Sequence, residues 1–194
     1  VMAVGGAATI DFERFLDVVI NNRMYGAKPR ELNDPMEGKF NKTNLSQDDF
    51  KEIRNELKNT RICSLLTKQK DQTFPNDYLM WSHYADEHRG YCIKYKLFKH
   101  FIKQDENDSF EHMFLKPIIY RKDEEKVDIS ELTTINTDLA FATKHESWKY
   151  EKEVRLIVYN PNKEDAFYGI PLDKDSCIEA IYFGCKCDPK TINT

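Results

Sequence analysis

Helix-like and strand-like hydrophobic patterns follow one another irregularly along this chain. Near the start, Phe12, Phe15, Leu16 and Val19 recur at the spacing of one face of a helix. In the last third, the segments 153–159, 167–170 and 177–184 are short, apolar and separated by turn residues. Because this is not the regular strand-helix-strand order of a parallel sheet, the sequence predicts an α+β fold with a mixed or mainly antiparallel sheet and about five helices packed on it.

The other predicted elements follow from the same two periodicities. Further strands are predicted at 24–27, 61–67, 91–96 and 115–121. Helices are predicted at 10–22, at 46–59, from Asn76 or Asp77 to the residue before Gly90, at 97–105, and around Leu132, Ile135 and Leu139.

The chain length of 194 residues predicts one domain, since globular domains average about 150 residues. We expect residues 1–9 to be a non-native or poorly ordered start and residues 10–194 to form a single α+β domain. Asp188 and Pro189 are typical of the N-cap and the first residue of a helix, yet only five residues follow Pro189. The C-terminus is therefore expected to be truncated.

Charge and composition narrow the function classes. The net charge is −4, so nucleic acid is not indicated as a partner by overall charge. No apolar run approaches the ~20 residues that cross a bilayer, and the start lacks the pattern of a signal peptide. The five cysteines are odd in number and scattered, which argues against a disulfide framework. These features predict a cytoplasmic protein without a membrane partner and leave the oligomeric state open.

The most polar segment is WKYEKEVRL at 148–156. On a strand, Glu151, Glu153 and Arg155 would share one face, while Val154, Leu156 and Val158 would face the core. Two close carboxylates suit general acid or base chemistry, and Arg155 could bind a phosphate. Trp148 and Tyr150 could stack on a planar ligand. The alternative is a Glu–Arg pair on a solvated face.

A second candidate segment is WSHYADEHRG at 81–90. On a helix, Trp81, Tyr84 and His88 would share one face and His83 would lie on another. His83 and His88 are five residues apart, which is not the i, i+4 spacing of a helical zinc site, so no metal is predicted. Either histidine could carry a proton or bind a phosphate, whereas Trp81 and Tyr84 could also be core residues.

A third candidate is the loop NDPME, which would present Asn33, Asp34 and Glu37 to a ligand, although Asn33 could equally close a turn on its own backbone. Cys185 and Cys187 in GCKCD are interpreted as structural. The sequence has no GxGxxG, GxxxxGK[ST], HExxH or GxSxG motif, which argues against dinucleotide-binding sheets, P-loop enzymes, helical zinc proteases and α/β hydrolases.

Several of these segments together resemble a widespread bacterial family of unknown function. The resemblance rests on LNDPMEG at 32–38, RICSL at 61–65, LMWSHYADEHRGYCIKY at 79–95, SWKYEKEVRLI at 147–157 and IEAIYFGCKC at 178–187. These segments carry the family's NDPxE, WxHYAxxHxG and WxYExExR motifs in order. Members usually begin with an aromatic and basic strand, which VMAVGGAAT lacks.

The paired glutamates of YEKEVR are also similar to the glutamate-x-glutamate feature of ADP-ribosyltransferases. That resemblance implies NAD as a cofactor, Glu153 on a ribose hydroxyl and Glu151 at the acceptor. It also implies that Tyr84 or Trp148 stacks on nicotinamide. Such enzymes use a further His or Arg on an early strand, which is the segment that differs here.

The sequence thus predicts an enzyme that acts on a small-molecule or nucleotide-like ligand, with Glu151, Glu153 and His83 as catalytic residues. The predicted binding residues are Asn33, Asp34, Glu37, Trp81, Tyr84, His88, Trp148, Tyr150 and Arg155. One alternative is a non-catalytic ligand sensor or adaptor of a bacterial defence or stress system. The other is a metal-dependent phosphodiesterase or nuclease built from Asp34, Glu37, Glu151 and Glu153.

Overall fold

The computed structural model describes residues 2–5, 9–34, 51, 58–66, 78–97, 112–122, 141–159, 169–172 and 177–192. The strands of these ranges are β1 Met2–Gly5, β2 Arg23–Tyr25, β3 Thr60–Leu66, β4 Tyr91–Lys96, β5 His112–Pro117, β6 Ile119–Arg121, β7 Thr143–His145, β8 Glu153–Tyr159, β9 Gly169–Pro171 and β10 Cys177–Phe183. The helices are α1 Thr9–Asn21, α2 Tyr78–Tyr84, α3 Pro189–Ile192 and the 3-10 helices Pro29–Glu31 and Glu146–Glu151.

The chain divides into two compact units. The first unit comprises Val1–Tyr25, Leu65–Lys103 and Gly169–Thr194, and the second comprises Gly26–Ser64 and Gln104–Tyr168. All strand pairs with a defined register are antiparallel except β6 with β7, which is parallel. The α+β class and the mainly antiparallel sheet are therefore confirmed.

In the first unit, β4 is the central strand and pairs with β1 on one side and β10 on the other. Phe15 of α1 packs on the sheet, with its ring centroid 4.4 Å from that of Tyr91 and 6.3 Å from that of Phe183. A small core of Trp81, Ala85 and Cys92 joins α2 to β4. Apolar burial thus holds α1 and α2 against the strands.

In the second unit, β8 lies between β3 and β5. Its core contains Ile62, Ile118, Phe141, Ala142 and Ile157. The predicted strand 115–121 is divided in two at Ile118, between β5 and β6. The N–H of Ile118 still bonds the Glu153 carbonyl of β8 at 3.0 Å, whereas the N–H of Ile119 bonds the Ala142 carbonyl at 2.8 Å, so the backbone changes partner between these two residues. This change of partner places β6 beside β7.

The helix prediction was wrong in number: three α-helices have their bounds within the described residues, rather than about five. The predicted helix of the 76–89 segment ends at Tyr84, where a turn begins. Of the helix predicted at 46–59, only Lys51, Lys58 and Asn59 are described, and all three are helical. The helices predicted at 97–105 and around 132–139 lie outside the described residues, apart from Leu97. Within the described ranges, no helix combines the length and apolarity needed to span a bilayer.

Two terminal features bear on the sequence predictions. Residues 2–5, inside the start expected to be poorly ordered, form β1. At the other end, the Asp188 carboxylate accepts a hydrogen bond of 2.9 Å from the backbone N–H of Lys190. This is the N-cap of α3 that the sequence predicted.

Candidate functional site

Four charged side chains of the second unit form one buried group, which we call the ion-pair cluster: Lys144, Glu151, Glu153 and Arg155. Lys144 lies in the middle of β7, Glu151 ends the second 3-10 helix, and Glu153 and Arg155 lie on β8. Between the two glutamates, Lys152 adopts a left-handed conformation with φ 49°. That turn between helix and strand is why two residues in such different elements can contact the same lysine.

The cluster is closed by short contacts. Lys144 Nζ lies 2.6 Å from Glu151 Oε2 and 3.4 Å from Glu153 Oε2. Arg155 donates from Nε to Glu153 Oε1 at 2.6 Å and from Nη2 to Glu153 Oε2 at 3.2 Å. Arg155 Nη1 donates to the Phe141 carbonyl at 2.7 Å. All four side chains are at most 4% exposed, so two cations and two anions compensate one another out of water.

The environment keeps Glu153 ionised. Burial alone would raise the pKa of Glu153, but the Arg155 charge and hydrogen bonds, together with Lys144 and a hydrogen bond from Ser64, lower it below its ordinary value. The same strand end fixes Tyr120, whose hydroxyl accepts a hydrogen bond of 2.9 Å from the Glu153 backbone N–H. Burial, and secondarily the charges of Glu153 and Glu151, raises the pKa of Tyr120, so its hydroxyl stays neutral.

These positions correct three sequence predictions. Glu151 does not lie on the strand with Glu153, because β8 begins at Glu153 and the preceding residues form a 3-10 helix. The predicted alternative of a solvated Glu–Arg pair is wrong as well, since Glu153 and Arg155 do pair but are buried. Val154, predicted to face the core, is only half-buried.

Two aromatic rings adjoin the ion-pair cluster. Lys144 Nζ lies over the Trp148 ring, 4.6 Å from its centroid, which is a cation–π contact. The centroids of Trp148 and Tyr150 are 6.2 Å apart, with their planes inclined by 33°. Trp148 is half-buried and Tyr150 is 37% exposed. Lys144 therefore contacts both carboxylates and one of the two rings predicted to stack on a ligand.

The WSHYADEHRG residues lie in the first unit. Trp81 is buried, which agrees with the alternative prediction that it is a core residue. Tyr84 is half-buried and His83 is exposed. The ring of His83 meets that of Tyr84 nearly edge-on, at 6.4 Å between centroids. His88 does not share a helix face with Trp81 and Tyr84, because α2 ends at Tyr84.

His88 lies instead in a turn in which Asp86, Glu87 and His88 have positive φ of 47°, 50° and 72°. Its backbone carbonyl accepts a hydrogen bond of 3.0 Å from Lys186, and a Cβ at Gly184 would collide with that carbonyl. Its Nε2 lies 3.0 Å from Ser82 Oγ. The turn is thus held in a left-handed conformation that L-residues adopt only at a cost.

The third candidate segment belongs to the second unit. Asn33 is exposed and Asp34 is buried, whereas Glu37 lies outside the described residues. Cys185 is exposed, and Cys187 Sγ makes a weak contact of 3.9 Å with the Asp188 carbonyl. Over the described ranges, no group of three or more His, Cys, Asp or Glu side chains could hold a metal ion.

Sequence reasoning found five of the residues around Lys144 but missed Lys144 itself. The structure brings together Glu151, Glu153, Arg155, Trp148 and Tyr150, while Trp81, His83, Tyr84 and His88 belong to the first unit. The sequence indicates such a residue only indirectly. Two glutamates flanked by apolar strand residues need a second cation besides Arg155 if both carboxylates are buried. Lys144 follows closely after the small and apolar residues 139–142, which makes it a candidate for that cation.

Comparison with known proteins supports a resemblance to a family of unknown function. A sequence model of a family described as "Protein of unknown function (DUF2971)" matches residues 80–156, a range that contains the WSHYADEHRG segment and all four residues of the ion-pair cluster. No curated protein and no solved structure matches the chain. Residues 80–156 of this chain are therefore similar to DUF2971, a family of proteins of unknown function.

Proposed function

We propose that the chain is an enzyme acting on a nucleotide-like substrate held against Trp148 and Tyr150. The observation that carries the proposal is the position of Lys144 Nζ, which contacts Glu151 at 2.6 Å, Glu153 at 3.4 Å and the Trp148 ring at 4.6 Å. Charged groups buried at one point with a partly exposed aromatic pair are typical of ligand and active sites.

We propose different roles for the two glutamates, because their charged surroundings differ. Glu153 is held ionised, with its pKa lowered by Arg155 and Lys144 against the effect of burial. It therefore suits electrostatic stabilisation of a developing positive charge, such as an oxocarbenium-like ribose, and not proton donation. Glu151 contacts Lys144 and ends the helix that carries both rings, so it is the better candidate for the acid or base.

The aromatic pair supplies the binding surface. Tyr150 is partly exposed, and burial with the Glu151 charge raises its pKa, so it remains a neutral ring. A planar base stacks on such a ring with a favourable energy of about 1–3 kcal/mol. Lys149 and Lys152, which are exposed on the same segment, offer positive charge for phosphate groups.

The test separates binding from turnover. ATP and NAD are titrated against the protein by calorimetry and by quenching of tryptophan fluorescence, and products are followed by chromatography. We expect Trp148→Phe to remove most of the quenching. Glu151→Gln should lower turnover by about 10²-fold or more while binding is retained. Glu146→Gln is the matched control, because Glu146 is exposed on the same 3-10 helix. Unchanged turnover in Glu151→Gln would end its assignment as acid or base.

A second candidate, a ligand-binding module without turnover, is favoured by one observation. Both oxygens of Glu153 already accept hydrogen bonds from Arg155, and one of them also from Lys144. In such a module the ion-pair cluster only stabilises the conformation of the 3-10 helix that carries Trp148 and Tyr150. Saturable nucleotide binding with no product under any tested condition would support it against the enzyme proposal.

A further inference from the structure

His145 and Ser147 form a hydrogen-bonded pair immediately before the aromatic rings. The imidazole Nδ1 lies 2.8 Å from Ser147 Oγ and accepts a hydrogen bond of 3.3 Å from the Ser147 backbone N–H. His145 is the N-cap of the 3-10 helix, Ser147 is exposed and His145 is half-buried. A hydroxyl within hydrogen-bond distance of an imidazole nitrogen is the geometry of a serine nucleophile and its general base.

The backbone contact fixes the direction of the hydrogen bond. Because Nδ1 accepts a proton from the Ser147 N–H, that nitrogen carries a lone pair and the neutral ring is protonated at Nε2. The Ser147 hydroxyl must then donate to Nδ1. Its proton already points at the base that would remove it.

The 3-10 geometry places the dyad beside one of the rings. Residues three apart eclipse each other in a 3-10 helix, about 6 Å apart along the axis. Ser147 and Tyr150 therefore share one face of the helix, and both are exposed. Trp148 and Glu151 share another face, consistent with their common contact with Lys144. A base stacked on Tyr150 would bring its own phosphate, one sugar away, toward Ser147.

We propose that Ser147 is a nucleophile, with His145 as its general base, that accepts a phosphoryl group from the nucleotide-like substrate. Oγ attacks phosphorus while the hydroxyl proton passes to Nδ1. The bond from phosphorus to the leaving oxygen breaks, and the electron pair leaves with that oxygen, which takes the proton from His145. The product is a phosphate ester of Ser147. This inference rests on the proposed function, because its substrate class follows from the proposed binding of a nucleotide-like ligand at Trp148 and Tyr150.

The chain contains an internal control, the pair Ser82 and His88. Ser82 Oγ lies 3.0 Å from His88 Nε2, but the same hydroxyl also donates to the Tyr78 carbonyl at 2.8 Å. Its proton is engaged by that carbonyl, so His88 donates to the hydroxyl instead of accepting from it. The two pairs have similar distances and opposite polarity, and only Ser147 should be activated.

The first experiment needs no nucleotide. The full chain is treated with diisopropyl fluorophosphate, and modified residues are identified by mass spectrometry. We expect one adduct, at Ser147 and not at Ser82. His145→Asn keeps a good N-cap acceptor but removes the base, so the rate should fall by about 10²-fold or more with the circular dichroism spectrum unchanged. Labelling of Ser147 at the same rate in His145→Asn would overturn the dyad.

The second experiment uses ATP and NAD and follows phosphate-containing adducts on tryptic peptides. We expect an adduct on Ser147 that is absent in Ser147→Ala and retained in Ser82→Ala. If fluorophosphate labels Ser147 but neither nucleotide binds, the proposed function and its substrate class are overturned while the nucleophile stands. If the nucleotides are bound and turned over but Ser147→Ala is fully active, the inference is overturned while the proposed function stands.

Discussion

Two Glu-x-Arg segments among the described residues lie in contrasting environments. Glu153 and Arg155 on β8 are 4% and 1% exposed, with Arg155 Nε 2.6 Å from Glu153 Oε1. Glu87 and Arg89 in the turn after α2 are 72% and 48% exposed, with Arg89 Nη1 3.4 Å from Glu87 Oε2. The same three-residue pattern is therefore a buried pair in one place and a solvated pair in the other. The difference shows that burial, and not the sequence of the pair, decides what the charges can contribute.

The largest expected effect is that of Arg155→Leu. The substitution leaves Glu153 buried with Lys144 as the more distant of its cations, at 3.4 Å, and removes the donor to the Phe141 carbonyl. Removing one partner of a buried pair costs about 3–5 kcal/mol, so the free energy of unfolding should fall by that amount. Urea denaturation measures it, with Arg89→Leu as the matched control. A loss no larger than that of the control would mean that the buried pair is no more important than the exposed one.

A somewhat smaller loss, about 3 kcal/mol, is expected for Lys144→Met. Glu153 keeps Arg155 in this variant, but Glu151 loses the lysine that lies 2.6 Å from its carboxylate. Adding Glu151→Leu should restore most of the stability, because the substitution removes the uncompensated charge. Denaturation of both single variants and the double variant forms a cycle that measures the coupling. Additive losses would show that Lys144 and Glu151 do not depend on each other.

The pH dependence of stability should distinguish the two pairs next. The folded pKa of Glu153 is lower than its unfolded value, so its contribution is fully present above the unfolded pKa, near 4.5, and is lost as the pH falls through the lower folded value. The Arg89 hydrogen bond also lowers the pKa of Asp86, but this carboxylate is exposed and screened by salt. The midpoint of thermal unfolding, measured between pH 7 and pH 3 in 0.5 M salt, should therefore still fall at acid pH.

Glu153→Gln should make the fall of the unfolding midpoint at acid pH smaller. The variant is itself less stable at pH 7, because Gln lacks the charge that compensates Arg155. Asp86→Asn is the control and should leave the fall of the midpoint in 0.5 M salt unchanged. A fall of the midpoint at acid pH that is identical in wild type and Glu153→Gln would contradict the lowered pKa of Glu153.

The sequence was sufficient for elements whose pattern is local. The bounds of β8, 153–159, agree with the prediction, and β3, β4 and α1 agree to within a residue or so at each end. In each of these, side-chain periodicity and the neighbouring turn residues pointed the same way. The capping of α3 by Asp188 was likewise readable from the two residues Asp188 and Pro189.

The site was less predictable, because its geometry depends on contacts that are distant along the chain. Glu151 was assigned to the strand, since period-two spacing with Glu153 is the same whether or not Lys152 adopts a left-handed turn. The role of Lys144 requires β7 to lie beside β6, which in turn requires Ile119 to bond Ala142 after Pro117. Nothing local in residues 142–146 specifies that pairing.

The smallest expected effect belongs to Arg89→Ala. Arg89 bonds Asp86 through Nε at 3.1 Å and Nη2 at 3.0 Å, and Glu87 through Nη1, yet all of these groups lie in water. Solvent and salt compete for each charge, so the substitution should leave the midpoint of thermal unfolding unchanged within error in 0.15 M salt. The left-handed turn itself is held by backbone bonds from His88 to Trp81, Gly90 to Ala85 and Lys186 to His88, which the substitution leaves intact. A marked loss of stability that persists in 0.5 M salt would mean that the exposed Glu-x-Arg acts like the buried one, and the distinction between the two environments would fail.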